Sequence, residues 1–434
     1  VLGSWDTVVV GGGTAGASAA ISAAREGNRT LVVDRYGSLG GTPVHALVTP
    51  MMDARAPHEH NLLEIERRLR EGGLETREDH DRMGYIWFMP EALARVLDDM
   101  LAELGGQALF DATLVAADVS EGRIRAIEVM TVEGPRAILA DQFVDATGDA
   151  VLSRLAGVPC VAGDEGGNNQ MCSLRFEMGG IDVNAYRAYC LSLGDGFSPM
   201  VDGYFWESAM VAGKGFALEP LFRRGVDVGV LEESDLVYYQ CFSLPGEPGV
   251  MSFNCPHLPQ LKDNTLALAR SEALAEGRRR IGRLVRFLVR YVPGFEHAFL
   301  VREASMLGIR ESWRICGSYT LDIDDYVKRA RFADPVAKGT WYIDVHSATK
   351  GLQHMEKYQP GEYYEIPYRC LTNRVVRNML TVGRCISTSF LVQASVRIQQ
   401  TVIDMGDAAG RACARARAAR VDLADFDGCG LLEN

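Results

Sequence analysis

Apolar residues in this chain fall into two rhythms, continuous short runs and helical stripes, and their alternation organises the first 150 residues. "DTVVV" at 6–10 is β-branched and apolar on both faces, which predicts a strand buried within a parallel sheet. After three glycines, "AGASAAISAAREG" carries small residues at helical spacing, and "TLVVD" then supplies a second buried strand. An amphipathic helix is predicted over 91–105, "EALARVLDDMLAELG". "EGRIRAIEVMTVEGPRAILADQFVDAT" reads as hairpin strands returning to the sheet, with E-G turn chemistry. Further on, "MCSLRFEMGG" and "VYYQCFSL" predict strands of a second, mixed sheet, and a long helix spans roughly 263–292 until Pro293 and Gly294 stop it. No internal repeat or low-complexity segment interrupts this order. The opening "VLGS" is left outside the fold argument.

The glycines between the first strand and helix set the candidate chemistry. Gly11, Gly13 and Gly16 fit G-x-G-x-x-G: the first allows a tight turn, the second a close approach of diphosphate, and the third a close contact of helix and strand. The helix N-terminus then offers free N–H groups and a positive dipole end to the phosphates. Asp34 closes the second strand about 20 residues beyond the turn, where a carboxylate can take ribose hydroxyls. "RYGSLGGTPVHALV" follows in place of a crossover helix and makes a second glycine turn at Gly40 and Gly41. That loop suits a cofactor reaching further along the sheet edge than NAD, so FAD is the favoured ligand.

Four motifs in order now point to a family. They are the N-terminal pattern with "LGGT", "FVDATGDA" at 143–150, "GIRESWRICGSYTLDIDDYV" at 308–327, and the run from "IPYRC" at 366 to "MGDAAG" at 410. Together they resemble the FAD-dependent oxidoreductases of the two-dinucleotide-binding-domain superfamily, related to the succinate dehydrogenase and fumarate reductase flavoproteins. The resemblance implies an α/β fold: a Rossmann-like FAD-binding domain with a parallel central sheet, plus a second α+β substrate domain. The FAD-binding domain is expected to be discontinuous, from 1–50, 88–160 and 365–434, with a helical insertion at 51–87 and a substrate domain at 161–364.

The same resemblance assigns cofactor contacts. Gly11, Gly13, Thr14, Ala15 and Gly16 would line the diphosphate, Asp34 the adenosine ribose, and Arg35 its surroundings. Val115 would meet adenine through its backbone, while Ala146, Thr147 and Gly148 pack beside the adenosine half. Gly41 and Thr42 would approach the ribityl chain or the ring, and Gly383 and Arg384, after the strand "NMLTV", the phosphate or ribityl oxygens. A helix beginning near Ser395 would aim the amides of Arg397, Ile398 and Gln399 at the flavin edge that turns negative on reduction. "MGDAAG" reads as a close helix contact through Gly406, Ala408 and Ala409, with Asp407 structural.

Composition narrows the function. A net charge of -12 disfavours nucleic acid and anionic lipid surfaces as partners. Ten cysteines without a CxxC argue for a reducing compartment and against a zinc ribbon or redox dithiol, and no metal site is expected. A cytoplasmic protein acting on a small-molecule substrate follows, with homo-oligomerisation left open. Disulfide reductase chemistry lacks its cysteine pair, a second nucleotide fold is missing, and Trp5, Trp87, Trp206, Trp313 and Trp341 form no halogenase motif. Hydride exchange between a small organic metabolite and flavin N5 remains, alongside a tRNA-modifying flavoprotein and a flavin subunit of an electron-transfer complex.

Such chemistry needs a proton donor or acceptor and a group that orients the substrate. His346 in "YIDVHSA" resembles the family's Asp-x-His element and is the first candidate; a core histidine fixed by Asp344 is the structural alternative. His45 follows the Gly41 turn and is a candidate for orienting substrate or tethering flavin. Arg310 in "RESWR" could clamp a carboxylate, with Arg314 one turn away if helical, or serve as a strut held by Glu311. Tyr368 points at the cavity or the core.

Overall fold

A computed structural model describes residues 1–52, 60–73, 75–77, 86–196, 206–258, 263–347, 351–355, 358–359 and 361–432. The first strand, Gly3–Val10, lies between Thr30–Val33 and the strand Gly134–Asp145, parallel to both. The sheet begins inside the segment set aside at the N-terminus, since Gly3 and Ser4 already pair with Ile138 and Leu139. Gln107–Leu109 extends the parallel set on one edge, and Met379–Thr381 joins the end of Gly134–Asp145 on the other. The remaining strands, Thr113–Ser120 and Arg123–Thr131, form an antiparallel wing on the first half of Gly134–Asp145. One long strand thus serves both the wing and the parallel centre.

Alternation within the strands explains why their runs are apolar throughout. Val9, Val32, Val144 and Leu380 face a core shared with the helices, while Val8, Val10, Leu31, Val33, Phe143 and Met379 face the core under the wing. On the helical side, Thr14–Arg25 lies directly against the long helix Gln399–Ala419. A Cβ added at Gly406 would come 2.2 Å from the Ala15 carbonyl oxygen, and one at Gly410 would come 2.3 Å from that of Ala19. Only glycine permits this approach. The Ser18 hydroxyl donates to the Ile403 carbonyl at 2.7 Å, and that of Ser22 to the Asp407 carboxylate. "MGDAAG" is therefore the helix contact its spacing suggests.

The helix expected near Ser395 is two helices. Phe390–Val396 ends with its cap at Arg397, and Ile398 caps the next, which starts at Gln399. The Ser389 side chain caps the first helix, so the chain commits to a helix earlier than its apolar stripe suggests.

The second sheet is antiparallel throughout, in the order Glu207–Met210, Tyr239–Ser243, Met251–Phe253, Phe176–Gly179, Phe299–Glu303. It is not the mixed sheet expected. Its central pair is a hairpin closed by the Leu244 N–H on the Val250 carbonyl at 3.0 Å, and a short return of that kind imposes antiparallel pairing. The helix Ala267–Tyr291 packs Ile281, Leu284, Phe287 and Leu288 into the same core. Residues between Leu321 and Leu371 join the core of the first sheet's helices instead. Within 51–87 the described residues form the helix His60–Glu71 and the paired strands Glu75–Arg77 and Ile86–Phe88. No described helix is long and apolar enough to cross a membrane.

Candidate active site

Three parallel strands end at one level. Gly11 donates to the Val33 carbonyl (2.8 Å), Ala146 to that of Val10 (2.8 Å), and Val382 to that of Asp145 (2.9 Å). Immediately beyond this edge lies a cavity of about 500 Å³. Gly11 has φ of 98°, and a Cβ there would strike the Ala146 carbonyl oxygen at 2.5 Å. Gly13 precedes the helix Thr14–Arg25 with no side-chain cap, and no acidic residue lies in the first turn. The free N–H groups and dipole end therefore face open space. Gly41 approaches so closely that its Cβ would lie 2.6 Å from the Gly13 Cα. Asp34 accepts from the Gly12 and Tyr36 N–H groups. Burial raises its pKa, opposed by those two hydrogen bonds.

The opposite wall is built of side chains. The strand Asp344–Ser347 sets Asp344 and His346 two residues apart on one face, with His346 Nε2 3.1 Å from Asp344 Oδ2. His346 Nδ1 lies 3.1 Å from Nε2 of His257, which Arg310 also approaches at 3.1 Å. A guanidinium only donates, so His257 Nε2 accepts and its proton sits on Nδ1. Burial pulls His346 down to about 4, opposed by Asp344 and reinforced by Arg310. A neutral His346 that donates to Asp344 turns its Nδ1 lone pair toward His257. One proton position between the rings is then unfilled, and burial keeps it so unless negative charge enters beside it. Arg397 reaches Asp344 Oδ2 at 3.4 Å and donates to the Asp344 carbonyl at 3.2 Å.

Between the two walls stands Asp149, with Arg270 at 2.8 Å, Arg384 at 3.1 Å and the Ser312 hydroxyl at 2.6 Å. Burial would raise its pKa, but the two guanidiniums outweigh that and hold it below the usual carboxylate range. Arg384 lies over Gly148, whose Cβ would meet its guanidinium carbon at 3.0 Å. The Nε atoms of Arg384 and Arg397 and the Oε1 of Gln399 are buried without a partner among the described residues. An extended, doubly phosphorylated cofactor with a polar ring fits this set: an uncapped helix end, backbone that excludes Cβ atoms, and two unfilled donors and one unfilled acceptor along one cavity.

A family profile described as "FAD dependent oxidoreductase" matches residues 6–432. The chain belongs to that family. Its cofactor is FAD. Among solved structures, a geranylgeranyl bacteriochlorophyll reductase-like protein from Thermoplasma acidophilum matches at TM-score 0.50 and 12% identity, over 96% of this chain and 79% of that one. The flavin-dependent brominase Bmp2 matches at TM-score 0.52 and 10% identity, over 99% and 81%. At such identities the likeness is one of fold. No curated protein matches the chain.

In this FAD dependent oxidoreductase, Gly11, Gly13, Thr14, Ala15, Asp34, Arg35, Gly41, Thr42, Ala146, Thr147 and Gly148 all line the cavity, as do Gly383, Arg384, Arg397, Ile398, Gln399, Arg310 and His346. Gly16 does not. Its Cβ would lie 1.8 Å from the Gly11 carbonyl oxygen, which is the helix–strand contact its place in the motif implies. Val115 is 40% exposed and off the cavity, because the strand bulges there; Thr113 and Leu114 line it instead. His45 stacks on Tyr36 at 4.4 Å, and its Nε2 lies 3.3 Å from the Ser38 carbonyl, so Tyr36 rather than His45 faces the cavity. Tyr368 is buried in the core, its hydroxyl donating to the Leu423 carbonyl at 2.8 Å.

"RESWR" is extended, with Trp313–Ile315 pairing Cys160–Ala162, so Arg310 and Arg314 do not share a helical face. Glu311 holds Arg314, not Arg310, and also accepts from Gly163 and Asn169 at 2.9 and 2.7 Å. Sequence reasoning missed His257, Arg175, Arg270 and Asp149. Asp149 stood inside the quoted "FVDATGDA" and its position was a usable signal; the others carry no spacing that marks them.

Proposed function

We propose that this oxidoreductase exchanges hydride between a carbon of a small organic metabolite and flavin N5, nearer in chemistry to the succinate dehydrogenase and fumarate reductase flavoproteins than to oxygen-activating relatives. When bound, FAD supplies the hydride acceptor or donor. The observation that carries this reading is the Asp344–His346 pair, which lines the same cavity as the dinucleotide cradle, with the buried His257 against His346. Hydride transfer leaves a proton to be placed, and the free Nδ1 of His346 can take it once negative charge at the flavin or substrate offsets the burial that keeps the ring neutral. Asp344 fixes the ring's orientation and balances the charge that the imidazole gains on protonation. Arg310 holds the accepting nitrogen of His257, and Arg397 holds Asp344.

The test is anaerobic stopped-flow bleaching of the bound flavin by a panel of small metabolites, with NADH and NADPH included. Bleaching by a metabolite alone is the expected outcome. Rapid bleaching by NADPH, followed by reoxidation only when oxygen and a second substrate are present, would move the protein to the oxygen-using class.

A further inference from the structure

A second cavity, of about 440 Å³, lies among four helices and shares no described residue with the one at the cradle. Its walls come from Thr14–Arg25, His60–Glu71, the helix Pro90–Glu103 and Gln399–Ala419. Ser22 and Asp407, which face each other across it, each stand eight residues inside their helices, while Thr14 and Gln399 at the helix starts line the flavin cavity. That places the pair about 12 Å along each helix from the cofactor's site. A molecule seated beside Asp407 is therefore out of reach of the flavin chemistry.

Polar groups along this cavity are linked in series. Arg25 donates to Asn61 Oδ1 at 2.6 Å, Asn61 donates to Ser22 Oγ at 2.9 Å, and Ser22 donates to Asp407 Oδ1. The series stops at Asp407 Oδ2. Asp407 is 1% exposed, and this oxygen has no hydrogen-bond donor among the described residues; the Arg411 guanidinium stands off at 3.6 Å. Joining the two helices takes only Oδ1, so a neutral side chain would serve that purpose. A buried carboxylate oxygen left without a donor is costly, and the fold keeps one on a cavity wall.

Charge selects the donor that would fill it. Arg68 is taken by Glu64 and Glu103 at 2.7 and 2.6 Å, Arg411 balances Asp407, and Arg25 and Glu26 stand together at the exposed rim. An entering ion would give up its hydration for little net attraction, whereas a neutral N–H group gives up less and meets a carboxylate. Met100, 2% exposed, and Leu104 supply an apolar wall, and a thioether packs well on an aromatic ring. We infer that this cavity is a binding site for a small aromatic carboxamide, its N–H on Asp407 Oδ2, its carbonyl toward Arg25 and its ring against Met100 and Leu104. The site is separate from the flavin cavity and independent of the hydride reading.

FAD-loaded protein is titrated with benzamide, N,N-dimethylbenzamide, benzoate and benzylamine, reading binding heat and the flavin spectrum. Benzamide is expected to bind at one site with a Kd of about 1 mM, with FAD retained and its spectrum unchanged. The dimethyl form, which has no N–H, and the two ions should each bind about tenfold more weakly or worse. Asp407→Asn keeps an acceptor for Ser22 and turns the free oxygen into a donor, so the gap between benzamide and its dimethyl form should close to within about threefold. Leu104→Trp, at the half-exposed end of the cavity, should block benzamide while leaving flavin content at the parent value. Equal binding of benzamide and its dimethyl form to the parent protein would overturn the inference. So would an absence of binding, which would mean a cavity that holds only water, or a benzamide that shifts the flavin spectrum or displaces FAD. Should the asparagine variant fail to fold, the ligand series on the unaltered protein and the Leu104→Trp block decide together.

Discussion

The two ends of the cavity are made of different material. At the cradle the wall is backbone: Gly11, Gly13 and Gly41 matter for the atoms they lack, and the helix end offers N–H groups whatever its side chains are. At the far end the wall is Arg175, Arg310, Asp344 and His346, whose backbones come from three separate segments. Backbone geometry of the first kind is written in a few consecutive residues. The second kind exists only after the two sheets have assembled, so the ends should fail differently when disturbed.

The largest effect is expected at the cradle. In Gly16→Val the added Cβ would fall 1.8 Å from the Gly11 carbonyl oxygen, a backbone atom that cannot rotate away. The helix must move off the strand, at a cost of about 3 kcal/mol or more, and the phosphate-facing turn moves with it. Flavin-to-protein ratio and thermal unfolding should fall together. A variant that purified yellow and fully stable would show that this contact does not set the cradle.

A smaller and more selective effect is expected from His346→Gln. His346 is buried and held near 4, whereas in the unfolded chain it titrates near 6.5. Below pH 6.5 the unfolded state takes up a proton that the native state refuses, so stability is lost as pH falls through the window from about 6.5 to about 4. Between pH 7 and pH 5 this amounts to about 2 kcal/mol. His257, pushed the same way by burial, adds to the slope. Urea unfolding at the two pH values should show the loss in the parent protein and a shallower one in the variant, which should still bind FAD. Identical slopes would mean that His346 is not kept neutral, and the proton position between the rings would lose its basis.

This difference between the ends also explains what could be read in advance. The parallel strands, the glycine turn and Asp34 lie within 34 consecutive residues, and each states its role by type and spacing. Asp344 and His346 were legible through the Asp-x-His element that the resemblance supplies, and the strand then sets the two on one face. His257 and Arg175 were not, because His257 reaches His346 across 89 residues and Arg175 reaches Thr49 across 126. Of the two readings of Arg310, the strut held by Glu311 falls away, because the extended backbone turns Glu311 to Arg314, while Arg310 itself lines the cavity. His45 and Val115 show a further limit. Nearness to the Gly41 turn placed His45 at the cavity and the resemblance placed Val115 there, while stacking on Tyr36 and a bulge in the strand turned their places over to Tyr36 and Leu114.

Tyr368 gives the smallest effect and the cleanest control. Its position after "EIP" allowed a hydroxyl facing the cavity or the core; Pro367 ends the strand Tyr364–Pro367 and a short helical turn carries the ring into the core. There its hydroxyl donates to the Leu423 carbonyl, and the ring packs edge-on to Phe426. Tyr368→Phe removes one buried hydrogen bond and leaves one acceptor unsatisfied, which costs about 1 kcal/mol in unfolding experiments. Because this residue does not line the cavity, flavin content and the rate of flavin bleaching should stay at parent values. A bleaching rate more than tenfold lower, with stability down by only this amount, would return the hydroxyl to the chemistry and require the far wall of the cavity to be redrawn around it.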